Sequence, residues 1–177
     1  MKKALTFVAV AVLAVASVQA ATVKWASGNL TTDGGDVPTA VNTYLYAVDE
    51  AGYNAASAMD MDTLYTTYKA QTPTADSNAI SSAGKTTVTD TRTAAANETV
   101  YAVLVYELLD GDGNVVGKLA SAATGTVNAK GNALTVNNIG TTALAANNGK
   151  WGAVPEPTTV ALLALGLAAL GLKRKVA

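Results

Sequence analysis

The chain of 177 residues has no histidine and no cysteine; half of it is apolar and only 14% is charged. The two absences exclude a disulfide framework, a thiolate nucleophile, a Ser-His-Asp arrangement and any His- or Cys-ligated metal centre. The net charge of −1 hides an uneven distribution: Lys2 and Lys3 stand at the front and Lys173, Arg174 and Lys175 at the back, while residues 21–154 hold seven Lys/Arg against twelve Asp/Glu. A mildly acidic body is a poor match for nucleic acid, which needs a basic stripe.

Residues 1–20, MKKALTFVAVAVLAVASVQA, have the three parts of a secretory signal peptide. Lys2 and Lys3 form the positive region, residues 4–16 form an apolar stretch broken only by Thr6, and Val18-Gln19-Ala20 places small residues where a signal peptidase inspects the chain. Cleavage between Ala20 and Ala21 is expected, with signal peptidase as the first processing partner and Ala21 as the mature N-terminus.

Residues 21–140 read as one β-rich extracytoplasmic domain. TVKWAS (22–27) alternates, and VNTYLYAVD (41–49) puts Tyr44, Tyr46 and Val48 on one face and Thr43, Leu45 and Ala47 on the other. ASAMDMDTLYTTYKA (56–70) differs. Its Met61, Leu64, Tyr65 and Tyr68 follow a helical spacing, with Asn54 or Ser57 as the expected cap and Gln71-Thr72-Pro73 as the stop. TTVTDTR (86–92) alternates weakly. TVYAVLVYELL (99–109) is nearly continuous apolar, β-branched and aromatic, which predicts a strand covered on both faces. After DGDGN, residues 115–129 are its expected antiparallel partner, and ALTVNNI (133–139) predicts one more strand. The fold class expected is mainly β: an antiparallel β-sandwich-like domain with one short helix. Residues 141–153 show no clear period and read as a spacer that holds the body off the membrane, with Trp151 at the interface.

Few constellations in the body point to chemistry. Asp110, Asp112 and Asn114 occupy the first three ligand positions of a calcium loop, but Val115 replaces the required glycine and Ser121 the closing glutamate, so a hairpin turn is expected instead. Asp60 and Asp62 stand two residues apart, which on a helix turns them away from each other and defeats acid–base work on a common bond. Trp25 with Tyr44, Tyr46, Tyr65 and Tyr68 could build a sugar-stacking platform. In a chain whose single Phe is Phe7, they are expected to serve as core instead. The sequons at Asn29 and Asn97 carry no further information.

Residues 154–177, VPEPTTVALLALGLAALGLKRKVA, close the chain. Residues 160–172 are all Ala, Leu, Val or Gly, and with Thr158 and Thr159 they predict a transmembrane helix over 158–172. At about 1.5 Å per residue it would span only ~20–23 Å, short for a hydrocarbon core of about 30 Å. Lys173, Arg174 and Lys175 form a basic stop that keeps the terminus cytoplasmic, so the body lies on the far side. Pro155 and Pro157 hold Val154-Pro155-Glu156-Pro157 extended. This tail resembles the PEP-CTERM sorting signal of diderm bacteria. The resemblance covers about 24 residues, with Pro155, Glu156 and Pro157 as signature and residues 173–175 as stop. It implies recognition by a membrane-embedded exosortase, removal of the tail near the Pro-Glu-Pro, and passage of the body to the cell surface or an exopolysaccharide matrix. More loosely, the body resembles the small Ala/Thr-rich exported proteins that carry such tails.

The expectation is an exported, non-enzymatic surface or matrix protein without cofactor or metal. It begins as a membrane-anchored precursor whose body is periplasmic, and its partners are signal peptidase, exosortase, the membrane and an exopolysaccharide. The competing class is a carbohydrate-binding module or a carboxylate-based glycan-active protein.

Overall fold

The computed structural model describes residues 20–154. Most of the signal peptide, Pro155 to Pro157 of the sorting motif, the expected helix 158–172 and the basic stop lie outside the described residues. No helix among those described is long and apolar enough to cross a membrane.

Among the described residues, eight strands and three helices follow in the order β1 (Ala21–Ala26), β2 (Val41–Val48), α1 (Glu50–Ser57), α2 (Met61–Lys69), β3 (Ala75–Ser77), β4 (Thr87–Ala94), β5 (Thr99–Leu109), β6 (Val115–Thr126), β7 (Leu134–Val136), α3 (Ile139–Ala146) and β8 (Gly152–Ala153). They form a three-stranded sheet ordered β4-β1-β7 and a five-stranded sheet ordered β3-β2-β5-β6-β8. All pairings are antiparallel except β1 with β7, which run parallel, Val23 opposite Leu134.

The expected central strand is central. β5 lies between β2 and β6, and Ala102 to Tyr106 are buried without a break because both faces are covered. Its even-numbered side chains, with Val41, Leu45 and Leu119, meet Val23, Trp25 and Val88 of the smaller sheet in one core. Its odd-numbered Val103 and Val105, with Tyr46 and Ala120, meet Ala56, Leu64 and Tyr68 of α1 and α2. The two faces of residues 41–48 divide as their alternation predicts. The turn between β5 and β6 is the expected hairpin. Asp110 Oδ1 accepts from the backbone N–H groups of Asp112 and Asn114 at 2.9 and 2.8 Å, and Gly113 takes the positive φ of +82° that the turn requires. The Asn114 side chain and backbone, then the other turn amides, lower the pKa of Asp110.

Several expectations are corrected. The single helix of 56–70 is two helices, and its cap is neither Asn54 nor Ser57, which lie inside α1. Asp49 caps α1 by accepting from Gly52 N at 2.7 Å, and Asp60 caps α2 by accepting from Thr63 N at 2.9 Å. The strands expected over 115–129 and 133–139 stop at Thr126 and Val136, the second just before Asn138 enters the left-handed region at φ +64°. The spacer of 141–153 is not a spacer. Residues 139–146 form α3, which buries Ile139, Ala143 and Leu144, and residues 152–153 form β8 on the edge of β6. Trp151 is a core residue, not an interfacial one, because its indole packs into the inter-sheet core. The folded domain therefore runs to Ala153 rather than 140.

Candidate functional site

The two junctions of the body with its flanking segments are built differently. At the front, Ala20 is exposed, whereas Ala21 is 2% exposed and already paired with Ala94 in β1. At the back, Trp151 fixes the exit. Its backbone N–H donates to Asp33 Oδ1 at 2.9 Å and its indole N–H to the Thr31 carbonyl at 2.8 Å. Gly117 on β6 makes room for it: a Cβ there would stand 2.8 Å from Trp151 Cβ, too close for any side chain. β8 then lays Gly152 and Ala153 against Lys118 and Gly117, and Val154 follows, half-buried. Val154, the first residue of the sorting motif, thus directly follows an edge strand.

A polar cluster lies on the outer face of β5. Glu107 is 2% exposed inside an otherwise apolar strand. Its Oε1 accepts from the Tyr65 hydroxyl at 2.7 Å and pairs with Lys69 Nζ at 3.0 Å, and its Oε2 accepts from the Tyr44 hydroxyl at 3.1 Å. Lys69 Nζ also stands 3.6 Å over the Tyr44 ring, a cation–π contact. Lys118, opposite Glu107 in the ladder, pairs with Asp62 at 3.0 Å and stands 5.1 Å from the Tyr65 ring centre. Burial alone would raise the Glu107 pKa, but the hydrogen bonds from Tyr65 and Lys69, the Lys69 charge and the Tyr44 hydroxyl outweigh it and hold the group below its ordinary value. Burial, and then the hydrogen bond to Glu107, push the Tyr65 phenol up. With the carboxylate held ionised and the phenol protonated, neither is poised to exchange protons near neutral pH.

Beside this cluster a groove of about 410 Å³ is lined by Asn42, Tyr44, Asp76, Ser77 and Asn78 at the β2–β3 edge. The other candidates do not converge on a site. Trp25 is fully buried, and Tyr46 and Tyr68 are buried edge to face with ring centres 5.4 Å apart, so the expected core role holds for these three. Tyr65 serves Glu107, and Tyr44 lines the groove. Asp60 caps α2 and Asp62 pairs with Lys118. Among the described residues no group of His, Cys, Asp and Glu could hold a metal ion. Sequence reasoning missed Glu107, whose only local signal is a lone carboxylate in an apolar run.

Residues 153–175 match the PEP-CTERM protein-sorting motif. The match begins at the last residue of β8 and takes in Val154, Pro155, Glu156, Pro157 and the basic residues 173–175. The molecule therefore belongs among proteins that carry a C-terminal address for membrane-associated sorting. It is a PEP-CTERM protein, an exosortase substrate. No curated protein and no solved structure matches the chain.

Proposed function

We propose that this chain is a non-enzymatic protein exported by the signal peptide 1–20, held for a time by the helix 158–172, and released or transferred by an exosortase to the cell surface or an exopolysaccharide matrix. The observation that carries the reading is the sorting motif at 153–175, set on the outgoing end of a folded domain. The absence of His and Cys from the sequence and the fully partnered state of Glu107 support a body without catalysis. The residues of the motif act as a substrate address. Intact mass of the mature protein, from hosts with and without the exosortase, tests this. The normal host yields a chain lacking 158–177, and Pro155→Ala with Pro157→Ala leaves the tail attached and membrane-bound. A tail that persists in the normal mature protein makes the segment a plain anchor.

A second reading, glycan binding, is favoured by the groove at Asn42, Tyr44, Asp76, Ser77 and Asn78. Amides, a hydroxyl and a carboxylate beside an aromatic ring suit a neutral polyol. In a soluble-polysaccharide pull-down the mature protein would bind saturably, and Asp76→Ala would weaken binding at least about tenfold, the scale of one charge-assisted hydrogen bond. No saturable binding removes this reading.

A further inference from the structure

We propose that folding of the body separates its two processing cuts in time: the cut between Ala20 and Ala21 must precede completion of the small sheet, and the cut at the sorting motif acts on the finished fold. This rests on the export reading above. A protease holds its substrate extended on both sides of the scissile bond, so a bond inside a paired, buried segment must open first. The residue after the N-terminal bond is Ala21, buried, paired with Ala94 and part of the inter-sheet core. Thr22 pairs with Thr93, and Val23, 1% exposed, pairs with Leu134. In the folded precursor no free segment follows the bond.

The topology supplies the interval in which the bond is accessible. β1 is the middle strand of its sheet, and both neighbours, β4 and β7, lie far downstream at residues 87–94 and 134–136. β1 cannot be enclosed until residue 136 has crossed the membrane. At about 5–20 residues per second of synthesis, that leaves roughly 6–23 s.

The other end has the opposite arrangement. Trp151 and β8 are held by Asp33, Thr31 and β6, so the described fold is complete through Ala153. A cut C-terminal to Val154 spares the core. One at or before Ala153 would need β8 peeled away and would shorten the segment anchored by Trp151. The geometry therefore assigns the second scissile bond to the C-terminal side of Val154.

The test uses the full chain, residues 1–177, in detergent micelles with purified signal peptidase. Three proteins are compared: the folded wild type; Leu104→Asp, which buries a carboxylate in the centre of the core and unfolds the body, checked by circular dichroism; and a chain with six Gly/Ser residues inserted after Ala21, which moves the bond away from β1. The folded wild type should be cut at least about tenfold more slowly than Leu104→Asp, and the insertion should restore the fast rate in a folded chain. Equal rates for wild type and Leu104→Asp overturn the inference while leaving the export reading intact. If neither Leu104→Asp nor the insertion chain is cut, the export reading fails and the inference with it. For the second cut, the C-terminal residue of mature protein from an exosortase-bearing host should lie at or beyond Val154. A terminus at or before Ala153 overturns that half.

Discussion

On the inner face of the five-stranded sheet, Val41, Leu45, Leu104, Tyr106 and Leu119 meet the smaller sheet. On the outer face of the same strands, Tyr44, Tyr46, Val103, Val105 and Glu107 meet two short helices. The inner face is held by apolar area and shape. The outer face mixes apolar packing with a carboxylate that is stable there because three partners reach it. Each face also holds one tyrosine in a telling position. The Tyr106 hydroxyl is buried with no partner among the described residues, whereas the Tyr65 hydroxyl is bonded to Glu107. One backbone thus supports two kinds of stability, one set by volume and the other by charge.

The largest expected effect tests the inner face. Trp151→Ala removes a buried indole and its hydrogen bond to Thr31, and should cost about 3–5 kcal/mol in chemical denaturation of the mature protein. A loss below about 1 kcal/mol would mean that the exit segment is not part of the cooperative core.

An intermediate effect tests the outer face. Glu107→Gln keeps the shape and removes the charge, and should cost about 1.5–3 kcal/mol at neutral pH. The sign with pH follows from the lowered pKa. The carboxylate's contribution is fully present above its ordinary value of 4.5 and is lost as pH falls through the lower folded value. The stability gap between wild type and Glu107→Gln should therefore narrow below pH 4.5. A gap that stays constant down to pH 2 would show that charge plays no part.

The smallest effect compares the two tyrosines. Tyr65→Phe takes a donor from Glu107 and should destabilise by about 1–2 kcal/mol. Tyr106→Phe removes an unpartnered hydroxyl and should be neutral or slightly stabilising. Equal effects in a thermal melt would erase the distinction between the faces.

What the sequence discloses follows the same division. Alternation over 41–48 and the apolar run 99–109 exposed both strands and their burial, because local periodicity is the signal for a covered sheet. The DGDGN turn was legible for the same reason, since its donors and acceptor lie within five residues. Glu107 was not legible, because its partners Tyr44, Tyr65 and Lys69 lie on other elements brought together only by the fold. α3 and β8 were missed because TTALAANNGKWGA has too little amphipathic period to mark a helix, and two residues of strand are too few to alternate. α1 was missed because its cap, Asp49, looked like the end of a strand.

The edges of the larger sheet have a consequence for the protein at high concentration. β3 has three residues and β8 two, so each end of that sheet offers a neighbour only a brief row of free backbone groups. The twelve-residue β6 would be a long template, but β8 covers its beginning, α3 packs along it, and Leu134 and Val136 of β7 close over Gly125 near its end. Deleting β8 would therefore do more than loosen Trp151: it would uncover the start of the longest described strand and favour strand-to-strand aggregation at high concentration.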